Sequence, residues 1–212
     1  MSFFTTTRKI TLPFLSIAIS AILYTPHASA ADEEFKPWQV RAGISLISPT
    51  SDSGSIANDA INVTIDNRVG PTVNLAYFFT PNWSVDVLGG LPFKHQINFN
   101  GSRAGETKHL PPIVSLQYHF NPEGKLSPFI GVGVNYTKFL SEKADNGAKV
   151  ELSDSWGPAV QFGLDYALNK EWSIGGDIRY AKINTDVRIN GQKLGDVDVD
   201  PTIYSLNVGY RF

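Results

Sequence analysis

The feature that most restricts this chain is its last stretch, Thr202–Phe212. Tyr204, Leu206, Val208, Tyr210 and Phe212 occupy alternate positions, with Ser205, Asn207, Gly209 and Arg211 between them. Side chains in a strand point to opposite faces with a period of two, so this segment is a strand with one apolar and one polar face. It also ends the chain on an aromatic residue. A closed barrel in a bilayer needs its last strand paired to its first, because an open sheet edge cannot be left in lipid.

The same alternation recurs seven times upstream. Trp38–Leu46 sets Trp38, Val40, Ala42, Ile44 and Leu46 against Gln39, Arg41, Gly43 and Ser45. Further strands are predicted over about 68–79, from Trp83, over about 108–120, over 129–139, from Trp156 and from Trp172. Thr80-Pro81-Asn82, Asn121–Ser127 and Asn169-Lys170-Glu171 read as short turns. The stretches at about 48–67, 94–107, 141–154 and 184–200 are polar and read as long loops, two of them carrying the hairpin signals Asn100-Gly101 and Asn190-Gly191. Connections therefore alternate long and short. The expected fold is all-β, an eight-stranded antiparallel transmembrane β-barrel with short periplasmic turns and long extracellular loops. Trp38, Phe79, Trp83, Phe120, Tyr166, Trp172 and Phe212 ring the short-turn end as an aromatic belt would. A lipocalin-like barrel would show the same alternation with the apolar face turned inward; the belt, the terminal Phe and the loop asymmetry favour the membrane.

The first thirty residues carry Arg8 and Lys9, an apolar run from Leu12 to Tyr24, and Ala28-Ser29-Ala30. This is the pattern of a secretory signal peptide over 1–30, leaving 31–212 as the barrel domain. Without the leader, 16 basic residues face 20 acidic ones, so nucleic acid is not an expected partner. The chain has no cysteine, which excludes a disulfide scaffold. The expected location is the outer membrane, among lipid and lipopolysaccharide.

With the apolar face on lipid, the other face lines the interior. Arg41, Asp86, His119, Asp165, Asp177 and Arg211 fall near the short-turn end. Eight strands leave room for little more than side chains, and buried charges persist only when paired. These six are expected to form a periplasmic plug. Toward the long loops the same face carries Ile47, Leu88, Ile113, Ala159 and Ile183, an apolar cup above a polar floor. Pro92, Pro111 and Pro112 fall on one hairpin at the height of the cup. Proline cannot donate to a ladder, so a lateral opening in the wall is expected there, or else a local bulge.

Leu91-Pro92-Phe93-Lys94-His95, Lys108-His109-Leu110-Pro111-Pro112, Gly131–Thr137, Asp154-Ser155-Trp156-Gly157 and Ser205–Phe212 resemble the outer membrane protein W (OmpW) family. The resemblance implies a hydrophobic channel for small, mainly apolar solutes, with lateral release into the membrane, and receptor roles toward bacteriocins or phage at the loops. It also implies a constriction between a leucine and a tryptophan. Those places hold Leu88 and Arg179 here, so a purely apolar gate is in doubt. A structural, adhesive or receptor barrel working through its loops is the alternative. Catalysis is not expected: His95 and His109 lack a clear nucleophile, and His119 lies deep in the plug near Ser115 and Gln117. No cofactor or metal site is expected, Asp196, Asp198 and Asp200 reading as a solvated run.

Overall fold

The two ends of the barrel wall meet backbone to backbone. Trp38 N donates to Phe212 O at 3.0 Å and Phe212 N returns to Trp38 O at 2.8 Å. The computed structural model describes residues 35–51, 53–57, 60–90, 93–110, 112–144 and 149–212; for 93–95, 104, 106–110 and 140–144 it describes the backbone alone. The leader expected over 1–30 lies outside the described residues.

Fifteen strands follow one another among the described residues: β1 (Trp38–Ser48), β2 (Ser55–Ile56), β3 (Ile61–Ile65), β4 (Arg68–Phe78), β5 (Trp83–Gly90), β6 (Phe93–Phe99), β7 (Ser102–Leu110), β8 (Ile113–His119), β9 (Leu126–Ala144), β10 (Val150–Leu152), β11 (Ser155–Ala167), β12 (Trp172–Ala181), β13 (Asn184–Ile189), β14 (Gln192–Asp198) and β15 (Thr202–Arg211). Eight of them close a ring. Each of β1, β4, β5, β8, β9, β11, β12 and β15 pairs antiparallel with the next, and β15 pairs with β1. No strand edge remains in this ring, which is the condition for crossing a bilayer with strands.

The two faces of the ring are inverted relative to a soluble barrel. Leu206 is 75% exposed and Val69 65%, whereas Arg41 is 1% exposed and Asp86 not at all. Water offers no reason to expose the first pair and bury the second; hydrocarbon does. Cross-strand aromatic pairs mark one rim of the apolar band. Trp38 stands opposite Tyr77, Trp83 opposite Tyr118 and Trp172 opposite Tyr210. Their ring centroids lie 4.8, 4.9 and 4.8 Å apart. Tyr136 and Trp156 form a similar pair, 4.5 Å apart, toward the other rim. Tyr166 lies ten residues along β11 from Trp156, roughly 33 Å along a strand; the usual barrel tilt reduces that to about 25 Å, the height of an outer-membrane apolar band.

At the long-loop end the wall continues past the band. Residues read from sequence as loops form strands: β2 and β3 lie in the stretch 48–67, and β6–β7 and β13–β14 are hairpins. Asn100 and Gly101 (φ 50° and 77°) turn the first hairpin, and Asn190 and Gly191 (φ 51° and 84°) the second. Both residues of each turn lie in the left-handed region, as a two-residue turn matching strand twist requires. The upper part of β9 pairs with β7, making β9 longer than its predicted 129–139. β14 meets β2 through Ala57 N to Leu194 O (2.8 Å) and Asp198 N to Ser53 O (2.9 Å). The polar composition of these stretches hides an interior of their own: Ile56, Val63, Val187 and Val197 are buried together, with Ile61, Ile65, Ile97, Phe99, Leu152 and Leu194 packed on them.

Candidate functional site in the barrel lumen

The lumen divides into three levels. Nearest the short turns is an aromatic layer. His119 lies 4.9 Å from the Phe78 ring and stacks on Phe129 at 5.0 Å. The Arg211 guanidinium sits 4.0 Å over the Phe78 ring, and its Nε donates to Lys36 O at 2.8 Å. His119 Nε2 lies 3.3 Å from Ser84 Oγ and 3.3 Å from Gln117 Oε1. Phe129 fills space that Gly163 leaves open: a Cβ on Gly163 would fall 2.2 Å from the Phe129 ring. Phe78 and Phe129 were not picked out by sequence reasoning. Strand parity would have found them, since each neighbours an outward residue, Tyr77 or Ile130.

Above it lies a chain of buried charges. Asp86, from β5, is the centre. Its carboxylate meets Arg41 Nη1 at 3.5 Å and Arg179 Nη1 at 3.0 Å. Asn74 Nδ2 donates to both of its oxygens, at 3.1 and 3.2 Å. Arg41 Nη2 holds Asp165 at 2.8 Å, and Arg179 Nε holds Asp177 at 2.7 Å. With its amide oxygen facing Arg179, Gln161 accepts from Nη2 at 2.7 Å. The structure thus joins Arg41, Asp86, Asp165 and Asp177 of the expected plug residues to Arg179. It sets His119 and Arg211 apart, in the aromatic layer. Two arginines and three aspartates share one buried space, where charge is tolerable only because each member is paired.

The third level is apolar. Ile47, Leu88, Ile113, Ala159 and Ile183 are buried in one cluster with Ala181, Val199 and Ile203, and Ile65 packs against it. Asn135 and Thr137 border it, satisfied locally: Thr137 Oγ1 donates to Asn135 Oδ1 at 2.8 Å, and Asn135 Nδ2 to Pro112 O at 3.2 Å. Leu88 therefore belongs to the apolar level and Arg179 to the charged one. Higher still, an apolar cavity of about 40 Å³ is lined by Ile65, Ile97, Phe99, Phe139, Leu152 and Val199 among others. A concavity of about 860 Å³ lies over Ile44, Phe162, Ile178 and Leu206. That one is on the outer face, where bilayer lipid covers it, and is not the site.

Of the three prolines expected at a wall opening, Pro92 and Pro111 lie outside the described residues. Pro112 accepts from Tyr136 N at 3.1 Å. The return bond of this pair needs an N–H that proline lacks. The β5–β8 ladder runs to Leu88 opposite Ile113, and the β6–β7 ladder is described from Phe93 opposite His109.

A sequence model described as the OmpW family matches residues 37–212. The chain belongs to the OmpW family. Outer membrane protein W of Vibrio cholerae is 33% identical over 189 residues, covering 82% of this chain and 87% of that one. Outer membrane protein AlkL of Ectopseudomonas oleovorans is 35% identical over 162 residues, 71% of this chain and 69% of its own. The crystal structure of OprG from Pseudomonas aeruginosa superposes with a TM-score of 0.77 at 29% identity, covering 84% of this chain and 96% of that one. This OmpW-family barrel is a protein of the outer membrane, and its long-loop end is the one that faces outward in such barrels.

The remaining candidates are accounted for by their partners. Asp196 pairs with Lys193 at 2.8 Å, Asp198 with Asn184 Nδ2 at 3.0 Å, and Asp200 with Lys182 at 2.7 Å. Asp200 also accepts from Ile183 N at 2.8 Å and Tyr180 Oη at 3.1 Å. Burial would raise the Asp200 pKa, but these three donors outweigh it and hold the carboxyl below its ordinary range. The side chains of His95 and His109 lie outside the described set.

Proposed function

We propose that this OmpW-family barrel passes small, mainly hydrophobic solutes from the long-loop end into the bilayer, through a lateral opening above a charged floor. The observation that carries this reading is the vertical order of the lumen: a buried apolar cluster stands directly above a chain of paired charges. A solute resting among Ile47, Leu88 and Ile113 would have to separate Asp86 from Arg41 and Arg179 to continue downward. Removing one partner of a buried pair costs about 3–5 kcal/mol. Moving sideways into lipid exchanges one apolar environment for another and costs far less.

The opening belongs between the end of the β5–β8 ladder and the start of β6–β7, where Pro92 and Pro111 fall in sequence. Pro112, with its missing return bond to β9, loosens the adjoining seam. Leu88, at the top of the β5–β8 ladder, would form the lower lip, and Arg179 would hold the floor rather than the gate. The cavity of about 40 Å³ exceeds the space of a water but not of a solute, so the apolar side chains must part to admit one.

The test is uptake of an uncharged apolar probe into vesicles that carry the barrel. Replacing all three prolines with residues that own an N–H should lower uptake while heat-modifiable migration of the folded barrel persists. Unchanged uptake would remove the lateral route. A second reading, a receptor or adhesive barrel for bacteriocins, phage or lipopolysaccharide, draws support from the hairpins β6–β7 and β13–β14, which give the outer end a buried interior of its own. It predicts binding that survives closure of the wall.

A further inference from the structure

Four arginines sit on the inward phase of the barrel strands, and they are not treated alike; Arg211 lies over the Phe78 ring and donates to Lys36 O. Arg41 and Arg179 are each held by two carboxylates. Arg68 is held by none among the described residues. The residue is half-buried, and its Nε is removed from solvent with no acceptor, as are Arg41 Nε and Arg179 Nη1, but those two side chains have carboxylates beside them. The position is inward by parity: Arg68 is in phase with Thr72 and Asn74, both buried, while Val69, Val73 and Leu75 are exposed. Its partner across the β1–β4 ladder is Ile47, a member of the apolar cluster. Directly opposed residues on one face of a sheet carry Cβ atoms about 4.5–5.5 Å apart, so the stem of Arg68 lies beside Ile47. Ile65, three residues before Arg68, packs on the same cluster and lines the cavity above it. The nearby Asp66 already accepts from Asn98 Nδ2 at 3.0 Å.

A buried donor without an acceptor is costly, and a guanidinium more so than a neutral group. An apolar body with an anionic head would relieve it. The body would occupy the cluster around Ile47, and the head would meet the fork of Arg68, which matches a carboxylate in two parallel hydrogen bonds. We infer that Arg68 is a carboxylate-binding residue at the rim of the apolar cup, and that the barrel takes amphipathic carboxylates such as medium-chain fatty acids in preference to uncharged molecules of equal length. This rests on the proposed passage of apolar solutes and narrows it. The acid is drawn to Arg68 rather than to the arginines of the floor, because those are neutralised already.

The experiment compares decanoate with decanol, at pH 8, on the full chain in lipid nanodiscs, with empty nanodiscs subtracted. The unaltered protein is expected to bind decanoate roughly tenfold more tightly than decanol, the scale of one charge-assisted hydrogen bond. Arg68→Gln should erase that preference and leave decanol binding unchanged; Arg68→Lys should keep part of it. Equal binding of the two probes by the unaltered protein would overturn the role of Arg68 while leaving the apolar route standing. Loss of decanol binding together with decanoate in Arg68→Gln, with the barrel still folded by circular dichroism, would make Arg68 structural and overturn it as well. Binding of neither probe to the unaltered protein would remove the apolar passage itself.

Discussion

The floor and the cup of the lumen are built from the same strands, a few residues apart, and are held by opposite physics. Asp86 and Leu88 are both inward on β5, yet one is tied to two arginines and the other belongs to the buried apolar cluster. The floor is directional: each charged side chain has an opposite charge beside it, and moving one strands another. The cup is held by dispersion and close packing, which side chains can re-form around a guest of similar polarity. A barrel of eight strands has no standing bore, so what it lets through is set by which level yields first. On the proposed reading, closure toward the periplasm and access from outside fall to different layers of one wall.

The sharpest way to break the contrast is at Asp86. Asp86→Asn keeps the shape and removes the charge shared by Arg41 and Arg179. A loss of roughly 3–5 kcal/mol in folding stability is expected, read from the urea midpoint in lipid vesicles. If the variant is as stable as the parent, the floor is solvated rather than dry. Next in size is Gly163→Ala. Its new methyl meets the Phe129 ring, which is itself wedged against His119 and Arg41. Overpacking of this kind costs about 1–3 kcal/mol. The double variant with Phe129→Leu should recover part of it.

The cup should respond less. Ile113→Val removes one buried methylene from the apolar cluster, with an expected loss of about 0.5–1.5 kcal/mol. The same change should raise uptake of an apolar probe, because a looser cup parts more readily. A drop in uptake would mean that Ile113 contacts the solute tightly enough for shape to matter.

Much of this was legible in the chain. Period-two alternation placed all eight wall strands, and parity put Asp86 and Leu88 on one face with different neighbours. What parity could not supply was pairing across the barrel. That Arg179 joins Asp86 while Arg211 turns to Phe78 and Lys36 depends on which strands close the ring and on their stagger, which sequence alone does not fix. The strands β2, β3, β6, β7, β13 and β14 were hidden, in whole or in part, for another reason. Their outer faces are as polar as a loop, and only the NG turns at 100–101 and 190–191 betray two of the hairpins. Arg68 was missed although its parity was readable, because an isolated cation in sequence gives no sign of whether an acid will face it.

The smallest effect expected comes from outside the lumen, at Lys182 and Asp200, beyond the outer end of β12. The Asp200 carboxyl is held below its ordinary 3.8: burial opposes this, and Lys182, the Ile183 amide and Tyr180 prevail over it. Its folded pKa is depressed, so the stability it adds is present above the unfolded value and disappears as pH falls through the folded one. Lys182 runs the other way. Its hydrogen bond to Asp200, then the charge of that carboxylate, raise it above 10.5. Its contribution is present below that value and is lost as pH rises through the folded pKa. The pair therefore supports the β12–β13 junction on a plateau between about 3.8 and 10.5, falling away at both ends. Asp200→Asn should remove a small stabilisation at pH 7, and the difference from the parent should shrink as pH falls below 3.8. Because Lys182 is exposed, salt should weaken the effect as acid does. A difference between variant and parent that persists unchanged at low pH would mean that the Ile183 amide bond to Asp200, and not the ion pair, holds this corner of the outer wall.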